Sequence, residues 1–209
     1  MQTRTAAHHR RQAPPPGPAG NEHLTAMTGV VLLVGFAVEG FTILEIHRLI
    51  WLHFAVGFLL IGPAALKIGS TLYRFARYYS RSEPYVRRGP PAPLLRLLGP
   101  LVVLTSVAVL GTGVMLAVVG PGGQGNWMFL HKASFVLWFA VMTVHVAAYA
   151  PRLPRLLRRQ HSRPDPGPAA APGGAARYLA VGSALAVGVL VAAFAMHLSD
   201  AWNGGFGFH

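Results

Sequence analysis

Five apolar stretches of 21–23 residues, set between charged or Pro/Gly-rich segments, constrain this chain more than any other feature. A membrane hydrocarbon core about 30 Å thick is crossed by roughly 20 helical residues. Charged residues make up only 11 % of the chain and almost never fall inside the stretches, whereas a soluble domain is about one quarter charged. The sequence therefore predicts an all-α membrane protein with five transmembrane helices, at Leu24–Leu44, Leu49–Gly69, Leu97–Val119, Trp127–Tyr149 and Tyr178–Leu198.

The basic residues predict the orientation of these helices. Fifteen of the eighteen Lys and Arg residues lie in the N-terminal tail and in two loops on the same side of the bundle, and only Arg48 and Lys132 lie on the other side. The positive-inside rule then predicts a cytoplasmic N-terminus and an outer C-terminus. The net charge of +12 belongs to these loops, so we expect a lipid bilayer and no nucleic acid as partner. The excess of Arg over Lys is typical of GC-rich bacteria, which suggests a bacterial cytoplasmic membrane.

Composition divides the chain into four parts. Two segments rich in Pro, Gly and Ala are typical of flexible cytoplasmic chain. We expect a disordered tail, a four-helix transmembrane bundle, a cytoplasmic linker, and a fifth transmembrane helix with a short outer tail, over residues 1–22, 23–157, 158–177 and 178–209.

The first pair of apolar stretches resembles the second pair. The segment WLHFAVGFLLIGPAALKIGSTLYRF aligns without a gap with FLHKASFVLWFAVMTVHVAAYAPRL, and VEGFTIL aligns with GTGVMLA. The aligned pairs of interest are His53 with His131, Lys67 with His145, Arg74 with Arg152, and Gly40 with Gly113. Two helix pairs of the same orientation predict parallel repeats related by an axis along the membrane normal. The fifth helix is then expected as an appendage to their four-helix core.

Ionisable side chains on the second and fourth helices share one spacing. His131 and His145 are 14 residues apart, as are His53 and Lys67. Fourteen residues at 100° each come within about 40° of four full turns, so each pair lies on one helix face, about 21 Å apart along the axis. Because both helices run the same way, we expect His53 to be level with His131, and Lys67 with His145. Inserting an ionisable side chain into a membrane costs roughly 2.5–3.5 kcal/mol, so each of these residues is expected to have a structural or functional role.

Two imidazoles that face each other across a helix bundle are typical of the axial ligands of haem iron. His53 and His131 are therefore predicted to bind a haem b. Gly40, Gly111 and Gly113 lie near their level, where a missing side chain lets the ring approach the backbone. The chain has no cysteine, which excludes disulfides, iron–sulfur clusters and Cys-attached haem. The alternative is that these histidines are packed polar residues that bond between helices.

This pattern resembles the bacterial di-haem cytochrome b family, the membrane subunits of formate dehydrogenases and nickel hydrogenases. The matching residues are His53 on the second helix and His131 and His145 on the fourth, over roughly residues 23–150. The resemblance implies a four-helix bundle with two b-type haems, one near each surface, and electron transfer between them or to quinone. That family takes its fourth ligand from the start of the first helix, where this chain has His23.

The repeat and the resemblance disagree on the partner of His145. The resemblance implies His23, whereas the repeat places Lys67 opposite His145. Lysine ligates iron only as a neutral amine, which a buried site favours. Alternatively, Lys67 is a cation that pairs with a haem propionate or extends to the membrane surface, and Arg74 is a further candidate for a propionate contact. Whether the chain binds one haem or two therefore stays open.

Three other ionisable side chains have weaker predicted roles. Glu39 lies near the outer end of the first helix, and Lys132 or Arg48 is its expected partner, with a proton or quinone site as the alternative. His47 falls on a different face from the ligand histidine and is expected in the outer loop. His197 ends the fifth helix and is expected to mark the membrane boundary.

The sequence therefore predicts a cytochrome b that carries electrons between an outer partner and quinone or an inner partner. It contains no Rossmann fingerprint and no soluble segment long enough for a flavin, nicotinamide or molybdenum domain. A separate redox partner subunit is thus expected to hold any catalytic centre. Two alternatives stay open: a haem-free membrane anchor, and a transporter, which fits the repeat although only Pro63 and Pro100 interrupt the stretches.

Overall fold

The computed structural model describes residues 18–86, 93–149 and 174–203. In these residues every regular element is a helix. The α-helices are α1 (Pro18–Leu44), α2 (Ile46–Tyr79), α3 (Glu83–Val86), α4 (Pro93–Val119), α5 (Gly125–Tyr149), α6 (Gly174–Ala195) and α7 (His197–Asn203), and a 3₁₀ turn, Pro121–Gly123, joins α4 to α5. Most of the predicted tail and linker, and the last six residues, lie outside the described residues.

Five helices are long and apolar enough to cross a membrane, which confirms the predicted all-α membrane fold. Their candidate spans are His23–Leu44, Ile46–Tyr79, Leu97–Val119, Gly125–Ala148 and Gly174–Ala195. Helix α2 has 34 residues and is therefore about 51 Å long. It extends well beyond an apolar core of about 30 Å.

Side chains are distributed as expected for a bundle surrounded by lipid. Large apolar side chains face outward: Leu44, Phe129 and Phe194 are 77 %, 71 % and 83 % exposed. The hydroxyl side chains of Thr28 and Thr42 are instead fully buried. So much exposed apolar surface would drive association in water, whereas lipid tails solvate it. The protein is therefore a multi-pass membrane protein.

The chain forms two helical hairpins, α1–α2 and α4–α5. Between α1 and α2, the amides of Arg48 and Leu49 both bond to the carbonyl of Glu45 at 2.9 Å, and Leu49 leaves helical geometry. Gly120 ends α4 with a φ of 67°, a left-handed conformation that glycine adopts without strain. Each reversal takes only a few residues, so the helices of each hairpin are antiparallel neighbours.

The two hairpins meet around Leu60, whose side chain is fully buried. Leu110 of α4 packs against the cluster that contains Leu60. On α1, a Cβ atom at Gly35 would collide with the Leu60 side chain. Phe36 of α1 and Trp138 of α5 add a ring contact, with centroids 4.5 Å apart. All four helices therefore share one core, as the predicted repeat requires.

The fifth transmembrane helix, α6, is an integral part of the bundle and not the expected appendage, because it contacts α2 even more extensively than α1 does. Where the two helices cross, the carbonyl of Ala184 occupies the space of a Cβ atom on Gly62, and the carbonyl of Leu59 occupies that space on Gly188. Pro63, four residues after Leu59, has no N–H to offer that carbonyl. Small residues that let backbones approach are the usual means of helix association in membranes.

Helix α7 continues the chain beyond the predicted end of the fifth span. It contacts both α2 and α4. Trp202, near its end, is 4 % exposed, and its ring lies 6.4 Å from that of Phe54. Helix α7 is therefore packed against the bundle.

Candidate functional site

Side chains at seven-residue intervals on α2 and α5 define three levels of the bundle. Seven residues make nearly two helical turns, so such side chains lie on one face about 10 Å apart. The members are His53, Leu60 and Lys67 on α2, and His131, Trp138 and His145 on α5. We name the two ends of the bundle the His53 end and the Lys67 end.

The rings of His53 and His131 lie close together where the two hairpins meet, in a T-shaped, edge-on arrangement. Their centroids are 6.4 Å apart and their planes are inclined by 78°. A metal–imidazole bond is about 2 Å long and a ring nitrogen lies about 1 Å from the ring centre, so two axial imidazoles on one iron have centres about 6 Å apart. The structure thus brings the two histidines to a separation that suits a bis-imidazole ligand pair.

Thr42 orients the imidazole of His53. The Thr42 hydroxyl donates to the backbone carbonyl of Glu39 at 2.6 Å, and its oxygen lies 2.8 Å from Nδ1 of His53. Because its single hydrogen is already donated, Thr42 accepts from the imidazole, and Nδ1 carries the hydrogen. The carboxylate oxygen Oε1 of Glu39, 3.1 Å from Nδ1, is a second acceptor. The other nitrogen, Nε2, keeps the lone pair that a metal requires.

Thr112 holds His131 in the corresponding way. Its hydroxyl donates to the carbonyl of Ala108 at 2.7 Å, and its oxygen lies 3.2 Å from Nδ1 of His131. The hydroxyl of Ser134 lies 3.0 Å from that of Thr112. In the aligned repeats Thr112 stands at the position of Glu39. Equivalent positions in the two hairpins therefore contact the same nitrogen of equivalent histidines.

One of the three predicted glycines touches a candidate ligand. A Cβ atom on Gly113 would lie 3.1 Å from Cε1 of His131, which is tighter than ordinary contact, so glycine lets the ring lie against α4. A Cβ atom on Gly40 or Gly111 would meet nothing within 4 Å among the described residues. No close approach in that part of the chain explains glycine at these two positions.

Glu39 pairs with His53, and the expected pairing with Lys132 or Arg48 is wrong. The Glu39 side chain is 17 % exposed and faces the interior, whereas Lys132 and Arg48 are exposed. Gly57 makes room for it, since a Cβ atom there would lie 3.2 Å from Oε1. The second oxygen, Oε2, is buried and has no hydrogen-bond partner among the described residues. The carboxyl group therefore belongs to the environment of the histidine pair.

An apolar level separates the two polar levels of the bundle. Trp138 is 6 % exposed, and its Nε1 donates to Oγ of Ser106 at 3.1 Å. Its ring packs against Phe36, and Leu60 fills the same level from α2. These side chains therefore lie between the histidine pair and the polar side chains of the Lys67 end.

The Lys67 amine points towards α1. Its Nζ donates a hydrogen bond to the backbone carbonyl of Thr25, and it lies 3.1 Å from the place of a Cβ atom on Gly29. The hydroxyls of Thr25 and Ser70 are 3.2 Å apart, and Nδ2 of Asn21 donates to the carbonyl of Ser70 at 3.1 Å. These bonds join α1 to α2 in a polar cluster at this end.

The Lys67 end is rich in positive charge. Lys67 lies close enough to both His145 and Arg74 to interact with them electrostatically. His23 is exposed near the start of α1. The structure therefore places Lys67 near His145, the residue with which the repeat aligns it.

Two further histidines of the described part of the chain lie on the surface. His47 and His197 are exposed, and Nδ1 of His197 lies 2.7 Å from the carbonyl of Phe194. Within residues 18–86, 93–149 and 174–203 there is no group of three or more His, Asp or Glu side chains suited to a metal ion. A haem site needs only two axial ligands.

Comparison with models of known protein families, with curated proteins and with solved structures found no match to this chain. The candidate site is therefore defined by its own geometry.

Proposed function

We propose that this protein is a membrane b-type cytochrome in which His53 and His131 are the axial ligands of a haem. The observation that carries the proposal is the 6.4 Å separation of the two rings. The threonine contacts to Nδ1 on both rings support it. A neutral imidazole that ligates through one nitrogen and donates its other N–H to an acceptor is the usual form of a metal-bound histidine.

A haem bound here supplies one-electron transfer at its iron. The residues of the chain hold its two ligands in place. Thr42 and Glu39 accept from Nδ1–H of His53, and Thr112 accepts from Nδ1–H of His131, which fixes both rings and raises the basicity of their ligating nitrogens. A haem held there would exchange electrons one at a time through its iron.

If the Lys67 end holds a second haem, we propose that His145 is its axial ligand. Lys67 is then a cation beside that haem, and Arg74 is a candidate contact for its propionates. His23 is the alternative source of a second axial ligand. The two levels are 14 residues apart, about 21 Å along the helix axis, so two centres there would cover most of an apolar core of about 30 Å.

The charge distribution supports an orientation with the Lys67 end in the cytoplasm and the His53 end outside a bacterial cytoplasmic membrane. In this orientation the chain carries electrons between an outer redox partner subunit and quinone or an inner partner. The catalytic chemistry of such a complex belongs to the partner subunit.

A visible spectrum of the purified protein tests the proposal. Protein from haem-replete cells is expected to show a strong Soret band and, when reduced, an α-band. His53→Ala and His131→Ala are each expected to remove the same spectral component. His47→Ala, an exposed histidine at the same end, is the control and should leave the spectrum unchanged. Folded but colourless wild-type protein would contradict the proposal and favour a haem-free transporter or anchor.

A further inference from the structure

Trp202 carries a buried hydrogen-bond donor at the His53 end. Its side chain is 4 % exposed, and its Nε1 has no hydrogen-bond partner within residues 18–86, 93–149 and 174–203. Trp138 is buried to a similar extent, but its Nε1 donates to Ser106. A buried N–H without an acceptor is destabilising and uncommon in proteins. We therefore expect Nε1 of Trp202 to bond to an acceptor that the described residues do not provide.

Along the bundle axis, this donor is nearly level with the candidate haem site. The Trp202 ring packs against Phe54, which follows His53 directly in α2. Phe58, one turn further along α2, belongs to a buried cluster with Ala195 at the end of α6. Helix α7 carries the chain from that point towards the His53 end and contacts both α2 and α4. The indole is thus buried within about one helical turn of the level of His53.

We propose that Nε1 of Trp202 donates a hydrogen bond to a propionate carboxylate of the haem held by His53 and His131. This proposal rests on the proposed function. The propionates lie at the edge of the macrocycle, and they are its strong hydrogen-bond acceptors. An N–H donor to a carboxylate forms a charge-assisted bond, which is stronger than a bond between neutral groups.

Trp202→Phe removes the N–H and keeps an aromatic ring against Phe54. The matched control is Trp51→Phe, which makes the same change on α2 at the same end, where the side chain is 50 % exposed. We expect Trp202→Phe to retain haem, to shift the propionate bending band in the resonance Raman spectrum, and to lower the midpoint potential. The potential falls because a propionate without this bond keeps more negative charge, which favours oxidised iron. Trp51→Phe is expected to change neither quantity.

A haem-bound Trp202→Phe protein with the wild-type propionate band and potential would overturn this proposal and leave the haem assignment intact. Wild-type protein that binds no haem would overturn both.

A second measurement needs no substitution. Wild-type apoprotein is reconstituted either with haem b or with haem whose propionates are methyl esters. Because an ester is a weaker acceptor than a carboxylate, the ultraviolet Raman band that reports indole N–H bonding is expected to shift towards a weaker bond in the ester form. An unchanged indole band would overturn the role of Trp202, even if Trp202→Phe fails to fold.

Discussion

Thr42→Val tests whether the acceptor at Nδ1 of His53 contributes to haem binding. The matched control is Thr28→Val, because Thr28 lies 14 residues earlier on the same face of α1 and is equally buried. The Thr28 hydroxyl donates to the carbonyl of Leu24, as an ordinary helical threonine does. Both substitutions replace a hydroxyl with a methyl group of the same shape. Only Thr42→Val also removes a contact to an imidazole.

The expected magnitude follows from the 2.8 Å contact between Thr42 and His53. A neutral hydrogen bond contributes about 0.5–1.5 kcal/mol, which corresponds to a loss of about 2–13-fold in haem affinity. Glu39, at 3.1 Å, remains as an acceptor, so the larger cost of about 1–3 kcal/mol for an unsatisfied donor does not apply. In the double variant Thr42→Val/Glu39→Ala both acceptors are lost, and the affinity is expected to fall by about 10–100-fold.

The assay is titration of apoprotein in detergent with haem, followed at the Soret band, with circular dichroism to establish that each variant is folded. The expected order of affinity places the wild type and Thr28→Val first, then Thr42→Val, then the double variant. Equal dissociation constants for Thr42→Val and Thr28→Val would refute the assignment of the Nδ1 hydrogen and the role of Thr42 in orienting the ligand.

Three further predictions concern topology, the Lys67 end and the contact between α2 and α6. A reporter fused after the last residue is expected outside and one inserted in the linker before α6 inside; the same location for both would show that the fifth helix does not cross. His145→Ala is expected to abolish the haem at the Lys67 end, and Lys67→Met to lower its midpoint potential or perturb its spectrum. If Lys67→Met changes neither, loss of this haem in His23→Ala would identify the alternative ligand. Gly188→Leu is expected to destabilise the purified protein by about 1–3 kcal/mol in thermal unfolding, because its side chain meets the α2 backbone; Gly182→Leu, where a Cβ meets nothing within 4 Å in the described chain, is the control.

The helices could be predicted from the sequence because a bilayer allows a chain few alternatives. Length and apolarity identify the spans, since every backbone group must bond within its own helix. The packing of α6 could not be predicted in this way. Nothing in the apolar pattern distinguishes the face that carries Gly188, and Pro63 looks like an interruption of its helix. In the structure Pro63 has no N–H to bond the carbonyl of Leu59, and this carbonyl lies against Gly188. The role of either residue becomes clear only when α2 and α6 are seen packed together.

Of the candidate site, the sequence predicted the two histidines but not the groups that contact them. The aligned repeats and the common direction of the second and fourth helices place His53 level with His131. Which groups accept from Nδ1 depends on the rotamers of short hydroxyl side chains, and the sequence does not specify these rotamers. For Thr112 there was a signal, since the repeat aligns it with Glu39. For Thr42 there was none, because Met115 stands at the equivalent position and cannot accept in the same way.

The two ends of the bundle differ in a way that sets an expected direction of electron flow. At the His53 end both repeats keep a histidine, and Nδ1 of each ring contacts an acceptor. Acceptors at Nδ1 make a ligand more basic, which favours oxidised iron. At the Lys67 end one repeat has a lysine whose charge acts on His145, and a nearby cation favours reduced iron. With haem at both levels, the Lys67 end is therefore expected to have the higher midpoint potential, so that electrons move towards it from the His53 end. A redox titration tests this, with the two components assigned by His131→Ala and His145→Ala. A lower potential for the component lost in His145→Ala would show that other charges outweigh Lys67.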